Sequence, residues 1–387
     1  MTPEVSHLLI KAEDSFHQGD FNTALKLTDS AAVDAPELAD IPYLQGLIFA
    51  KVTQLNRAKA AYERVVALDP NYRAAWFKLG NNAFRRYKYG EAVSMYRKEQ
   101  QLAREKAQAS HGEIDLERQR TTLLQLGRAY IELGKVDSAE QAYLQAIAID
   151  GSYAEAYSDL SALHKDNGDY QTAIAYSRKA LKLDPETVHH HYFLGLLLAQ
   201  TGQEQEAIGY LKTAIEQRPW HPGAHYNMGQ ALIRLGRMEE GRDYLAGIDS
   251  IQTLADLIDE AEFTARVNPD VPRRWIKLAR LLRRAGRHQE AMDAYDVALY
   301  LSPKSVTIQR NVANLSLSLS DTTGAIKRYR AILWQDPSLG EIWVSLGAVY
   351  ALSGRLEEAR QAWQNALRYQ PDNVQATAWL AKFQEGP

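Results

Sequence analysis

The sequence predicts an all-α fold, a solenoid of paired antiparallel helices, and three observations carry that expectation. Phrases closed by proline, Ala67-Leu68-Asp69-Pro70, Leu183-Asp184-Pro185, Leu301-Ser302-Pro303 and Tyr369-Gln370-Pro371, set a common 34-residue register. Two positions that did not define this register stay small throughout. The eighth reads Ala12, Gly46, Gly80, Gly127, Ser161, Gly195, Gly229, Ala279, Ala313 and Gly347; the twentieth is Ala in every unit except Gly241. Small residues at both places let two antiparallel helices approach closely. Within each unit, apolar residues recur at helical spacing on both sides of a turn. In the last unit Trp343, Leu346, Gly347 and Tyr350 form one stripe, Gly354 ends that helix, Ala359, Trp363 and Ala366 mark the next, and Pro371 stops it.

Taken in order, the register gives repeats at 5–38, 39–72, 73–106, 120–153, 154–187, 188–221, 222–255, 272–305, 306–339 and 340–373. Thr2 is placed to cap the first helix, with Pro3 in its first turn. Large side chains fill what the small positions leave open: Trp76, Tyr157, Trp275 and Trp343 at the fourth, Leu126, Leu160 and Leu346 at the seventh, Tyr62, Tyr96, Tyr143, Tyr295, Tyr329 and Trp363 at the twenty-fourth. An insert at 107–119, polar helix formers around Ser110-His111-Gly112, suggests that the neighbouring helices continue as a projecting hairpin. A second insert, 256–271, is acidic with a partial apolar stripe and reads as an extra helix. Residues 374–387, with Trp379, Leu380 and Phe383, read as a capping helix. One repeat cannot bury its own apolar face, so the units must stack, and residues 1–387 are expected to form a single solenoid with no room for a catalytic domain.

Agreement at several positions across ten units resembles the tetratricopeptide repeat (TPR) family, and the resemblance covers nearly the whole chain. It implies a right-handed superhelix in which first helices line a concave side. The chain departs from the family pattern at Lys11 and Gln45 in place of Leu, at Gly151 in place of Pro, and where the inserts replace two further prolines.

Composition excludes several function classes. The chain has 45 Lys plus Arg against 48 Asp plus Glu, a formal charge of -3, which argues against devotion to nucleic acid or anionic membrane. Apolar residues make up 45%, too many for a disordered chain. With no cysteine, disulfides, Cys-ligated metals and thiol catalysis are excluded. Apolar stretches fall well short of the roughly 18 residues that span a bilayer. The start, Met1-Thr2-Pro3-Glu4-Val5, does not resemble a signal peptide, so the default location is cytoplasmic, or periplasmic or exported if a targeting segment has been removed.

Little in the sequence points to chemistry. His189, His190 and His191 are consecutive, so on a helix they point about 100° apart and cannot converge on one ion without outside ligands, which favours a structural role over metal binding. His191 and His225 also hold the fourth, packing position. No HExxH, GxSxG, Walker-type or dinucleotide-binding fingerprint occurs, so no enzyme activity, metal or cofactor is expected.

Binding is the better-supported expectation. If first-helix positions five, six, nine and thirteen face inward, as the resemblance implies, the fifth contributes Tyr43 and Phe77 on successive repeats, then Tyr192 and Tyr226. Such rings either pack between repeats or form a platform for a partner's apolar side chains. Asn81, Arg85, Arg128, Asn227 and Asn314 add polar donors, and Arg310 a further cation. The eighth repeat is strongly basic: Arg273, Lys277, Arg280, Arg284 and Arg287 recur at three- and four-residue spacing, opposite Trp275, Leu278 and Leu282. The acids of the second insert, Asp256, Asp259 and Glu260, are expected to neutralise part of this face, at Arg274 or Arg283. Some TPR domains clamp a terminal carboxylate with Lys, Asn and Arg; Asn227, Arg273 and Lys277 match part of that set, while Tyr192 and Leu196 replace the preceding pair. The expected function is therefore a non-catalytic scaffold whose concave groove binds peptide or helical segments, acidic and partly apolar, and assembles a complex. The alternatives are an RNA-binding helical repeat, or an accessory subunit that positions a catalytic partner.

Overall fold

A computed structural model describes residues 2–109 and 115–384; His111 and the tip of the expected hairpin lie outside the described residues. Among the described residues there are 22 helices and no strand. They divide into two compact units, Met1–Ala255 and Asp256–Pro387.

In the first unit, seven antiparallel pairs follow one another: α1 (Pro3–His17) with α2 (Phe21–Asp34), α3 (Asp40–Lys51) with α4 (Leu55–Leu68), α5 (Arg73–Arg85) with α6 (Tyr89–Ala109), α7 (Leu116–Glu132) with α8 (Val136–Ile149), α9 (Ala154–Asp166) with α10 (Tyr170–Leu183), α11 (Val188–Gln200) with α12 (Glu204–Gln217), and α13 (Pro222–Arg234) with α14 (Met238–Ala246). Each second helix also packs on the first helix of the next pair. The boundary between units falls within α15 (Ile248–Val267). The second unit continues with α16 (Pro272–Arg284) and α17 (His288–Leu301), α18 (Val306–Ser318) and α19 (Thr322–Gln335), α20 (Gly340–Leu352) and α21 (Leu356–Tyr369), and ends in α22 (Val374–Gln384).

The repeated residues each have a visible physical task. A Cβ at Gly46, Gly80, Gly127 or Gly347 would sit 2.6, 2.5, 2.7 or 2.6 Å from Cδ1 of the ring at position twenty-four, so absence of a side chain at the eighth position is what admits that ring. The rings of Tyr62, Tyr96, Tyr143, Tyr295, Tyr329 and Trp363 are all fully buried. At the fifteenth position the chain turns through a left-handed conformation in every pair: Gly354 has φ +74°, and Thr53, Tyr87 and Ser320 adopt φ near +60° without being glycine. The latter cost about 1–2 kcal/mol each.

The fourth position has a task that its varied side chains disguise. Trp76, Trp275 and Trp343 donate their indole N–H to the carbonyls of Pro70, Pro269 and Pro337 at 2.8–2.9 Å. Gln309 does the same to Pro303, and His191 and His225 bond Pro185 and Pro219. In these repeats a flat or long side chain with a polar tip ties the first helix to the turn six residues upstream. This bond binds His191 and His225 into the packing, as their register suggests.

The ends and inserts follow the same logic. Val5 N–H donates to Thr2 Oγ1 at the start of α1, and Trp379 of α22 stacks on Trp363 with centroids 5.7 Å apart. Leu380 packs beside that cluster; the side chain of Phe383 lies outside the described set. The helices flanking the first insert are lengthened to 21 and 17 residues. The extra helix α15 starts at Ile248, inside the span assigned to the seventh repeat, because α14 stops after nine residues at Ala246.

Candidate protein-interaction surface

The aromatic positions on the first helices of the first unit are mostly committed to packing. Tyr43 lies 6.1 Å from the Tyr62 ring and 5.1 Å from Tyr72, whose hydroxyl donates to Asp40. Phe77 packs at 6.0 Å on Tyr96, and Tyr192 covers His221 at 4.2 Å. All three are half-buried. Tyr226 differs: it is 53% exposed, the most open of the four.

The expected donors of this unit also have internal work. Tyr96 donates to Asn81 Oδ1 at 2.7 Å, so the ninth-position amide holds the ring at position twenty-four. Asn314 in the second unit accepts from Tyr329 in the same way. Arg85 reaches back to the Ala50 carbonyl at 2.9 Å and so caps the end of α3. Arg234, at the same repeat position, caps α11 through Ala199 at 2.7 Å. Asn227 bonds the Gly223 carbonyl of its own helix.

Arg128 makes the strongest commitment. Its Nε and Nη2 donate to both oxygens of Asp159, at 2.6 and 3.2 Å, a two-point pair between successive first helices. Burial holds the Asp159 carboxyl above its usual range although Arg128 opposes the shift. Beside it, burial holds His189 below its usual range, so at neutral pH this ring is uncharged. Sequence reasoning found Arg128 but missed Asp159; the signal available was an acid at the sixth position, one repeat on.

In the second unit α16 presents its basic face to water. Trp275, Leu278 and Leu282 are buried on the opposite side, and Arg273, Lys277, Arg280 and Arg284 are exposed. The stripe ends at Arg284: Gly286 turns the chain at φ +70°, and Arg287 pairs with Glu290 at the start of α17. The expected continuation of the stripe to Arg287 is thereby corrected. The acidic insert does touch this helix. Glu260 pairs with Lys277 at 3.2 Å, and Arg274 donates to the Thr264 carbonyl at 2.8 Å, so the pairing partner is Lys277 rather than the expected Arg274 or Arg283. Arg280 lies against the Tyr295 hydroxyl. Arg273 and Arg284 have no ion-pair partner among the described residues, and Arg310 on α18 is exposed.

Comparisons with known proteins agree with this architecture. Tetratricopeptide-repeat models match residues 43–109, 127–168, 258–306 and 340–373, and a model of anaphase-promoting complex, cyclosome, subunit 3 matches 166–248. The chain is a tetratricopeptide-repeat protein, and its fold is that of a protein-interaction scaffold. Over 105 residues it is 31% identical to the general transcriptional corepressor ssn6 of Schizosaccharomyces pombe, a match covering 27% of this chain and 10% of that protein. It is 22% identical over 265 residues to the human protein O-mannosyl-transferase TMTC1, covering 67% of this chain and 24% of that one. The chain thus spans a tenth to a quarter of the length of these relatives. A crystal structure of PilW, a type IV pilus biogenesis factor, shares the fold at TM-score 0.50 and 13% identity, over 58% of this chain and 98% of that one. No helix of the described residues is long and apolar enough to cross a membrane.

Proposed function

We propose that this protein is a non-catalytic scaffold that binds acidic, partly apolar segments of partner proteins on its first-helix surfaces. The observation that carries the reading is the exposed basic face of α16, where Arg273 and Arg284 have no ion-pair partner among the described residues. On α5, α7 and α13, Arg85, Arg128 and Arg234 cap a helix or pair internally, whereas this face is left to attract a partner's carboxylates. Tyr226, exposed on α13, offers an apolar contact in the other unit.

The test is affinity capture followed by mass spectrometry, with and without nuclease. The expected outcome is a defined set of proteins that survives nuclease and is lost when Arg273→Glu and Arg284→Glu are combined. Material that disappears on nuclease treatment would replace this reading with RNA binding, for which the same basic helix is the supporting feature.

A further inference from the structure

Two grooves on the face carried by the second helices share a composition found nowhere else in the chain. One, about 560 Å³, lies among α6, α7 and α8; the other, about 470 Å³, among α19, α20 and α21. In repeat register they share a core of corresponding residues, while Gln100 and Gln101 of the first are replaced by Leu333 and Trp334 in the second. Tyr130 and Tyr350 hold the eleventh position, Gln141 and Gln361 the twenty-second, and Gln145 and Asn365 the twenty-sixth. Arg97 and Arg330 occupy the twenty-fifth position of the repeat before. No other repeat has Tyr, Gln or an amide at those three places.

Three other repeats show what closes such a groove. In the fifth, sixth and seventh repeats a tyrosine at position twenty-three fills the space: Tyr176, Tyr210 and Tyr244 stand 6.1, 6.3 and 5.8 Å from the rings of Tyr157, His191 and His225. In the two grooved repeats that position is Ala142 and Ala362, both buried in the floor. Each floor is apolar, Leu126 or Leu346 beside the alanine, and each wall is lined with side-chain amides. Arg97 donates to the Tyr130 hydroxyl at 2.9 Å through Nε, which leaves its terminal nitrogens directed outward. Counting Arg97, Arg104 and Glu105 in one, and Arg330, Arg355 and Glu358 in the other, both grooves carry one net positive charge.

We propose that these are two related docking sites for an extended segment of another protein, carrying one carboxylate and one aliphatic side chain. The amides decide between an extended and a helical guest. A helix arrives with its backbone bonds already made, whereas an extended segment brings free N–H and C=O groups, and Gln both donates and accepts. In the groove beside α6 the wall from Arg97 to Gln108 is about 17 Å long at 1.5 Å per helical residue, which accommodates about five extended residues; beside α19 the helical wall is shorter, since α19 ends at Gln335. Arg97 or Arg330 receives the carboxylate, and the Leu–Ala floor receives the aliphatic group.

The probe is a set of fluorescein-labelled Ser/Gly peptides, each bearing one Leu and one Asp at varied separation, titrated calorimetrically into the full chain. The expected stoichiometry is two peptides per chain. Ala142→Tyr, which installs the residue that repeats five to seven already accommodate, reduces it to one, and adding Ala362→Tyr abolishes binding. Should either variant misfold by circular dichroism, Gln141→Glu and Gln361→Glu supply the test, each weakening its own site roughly tenfold or more by repelling the carboxylate. Arg273→Glu and Tyr226→Ala leave both sites intact, which separates this surface from the one on the first helices. The proposal is overturned if no peptide of the set binds below about 1 mM, if the tyrosine or glutamate variants leave stoichiometry and affinity unchanged, or if Tyr226→Ala removes binding.

Discussion

Helices α7 and α16 occupy the same place in their repeats, yet they present their cations in opposite ways. On α7 the ninth-position Arg128 is gripped by Asp159 from the following repeat. On α16 the ninth-position Arg280 rests against a tyrosine hydroxyl, and its neighbours Arg273 and Arg284 face solvent. The sixth position of the following repeat accounts for the contrast: it is Asp159 after α7 and Asn311 after α16. The same helix pair differs in its interior too, with Gly127 beneath Tyr143 in one and Ala279 opposite Tyr295 in the other. A residue's place in the repeat therefore predicts its packing, while its charge state and availability depend on what the next repeat supplies.

The largest effect that would sharpen this contrast is steric. A Cβ at position 127 falls 2.7 Å from Tyr143 Cδ1, so Gly127→Ala must displace a buried ring and should cost about 1–3 kcal/mol. Ala279→Gly removes a Cβ already accommodated and should cost about 1 kcal/mol or less, from helix propensity and a small void. Urea unfolding of both variants measures this. Equal losses would mean that the two helix pairs are spaced alike.

Next in size is the ion pair. Arg128 and Asp159 are 39% and 21% exposed at their side chains, so solvent moderates what Asp159→Ala leaves behind; a loss of about 1–2 kcal/mol is expected. Asp159→Asn keeps one acceptor and should recover part of that. If neither substitution shifts the urea midpoint, the pair contributes nothing and Arg128 is free for a partner, like the arginines of α16.

Much of this was legible in the sequence, and the boundary of legibility is instructive. The period, the small eighth and twentieth positions and the aromatic twenty-fourth expose the helix pairs because each is a local steric demand repeated ten times. The capping helix and the lengthened helices around the first insert follow from the same arithmetic. What stayed hidden are pairings between repeats. Arg128 and Asp159 are 31 residues apart, and Arg85 and Ala50 are 35, separations that no helical spacing rule connects. The fourth-position bond was disguised differently: Trp, His and Gln look unrelated by type, though all donate to one carbonyl. The exposed Arg face was legible, since seven basic residues without an acid between them leave little to pair with inside one helix.

A pH titration separates the units by another route. His190 on α11 is buried, 4% exposed, and burial holds its folded-state pKa below the ordinary histidine value. The unfolded chain then binds the proton more readily than the folded one. Stability is complete above about pH 6.5, the unfolded histidine value, and declines as pH falls below it. Thermal melts from pH 7.5 to 5 should show that decline, and His190→Asn should reduce it, with His189 and His221, also held low by burial, supplying the remainder. Hydrogen exchange should then place the early acid loosening in α11.

The smallest expected effect on stability is the most informative about function. Arg284 ends α16 exposed to water and has no ion-pair partner among the described residues. Arg284→Ala should change the unfolding free energy by less than about 0.5 kcal/mol, while Arg287→Ala, which removes the pair with Glu290, should cost slightly more. Capture of partner proteins should respond in the reverse order, dropping for Arg284→Ala and holding for Arg287→Ala, because only the first charge is unspoken for. The drop should shrink as salt rises, since a Debye length of about 8 Å at 0.15 M screens exposed charges first. Should Arg284→Ala bind partners as well as the parent chain at low salt, the basic face of α16 is a solvated helix surface and the partner contact lies elsewhere.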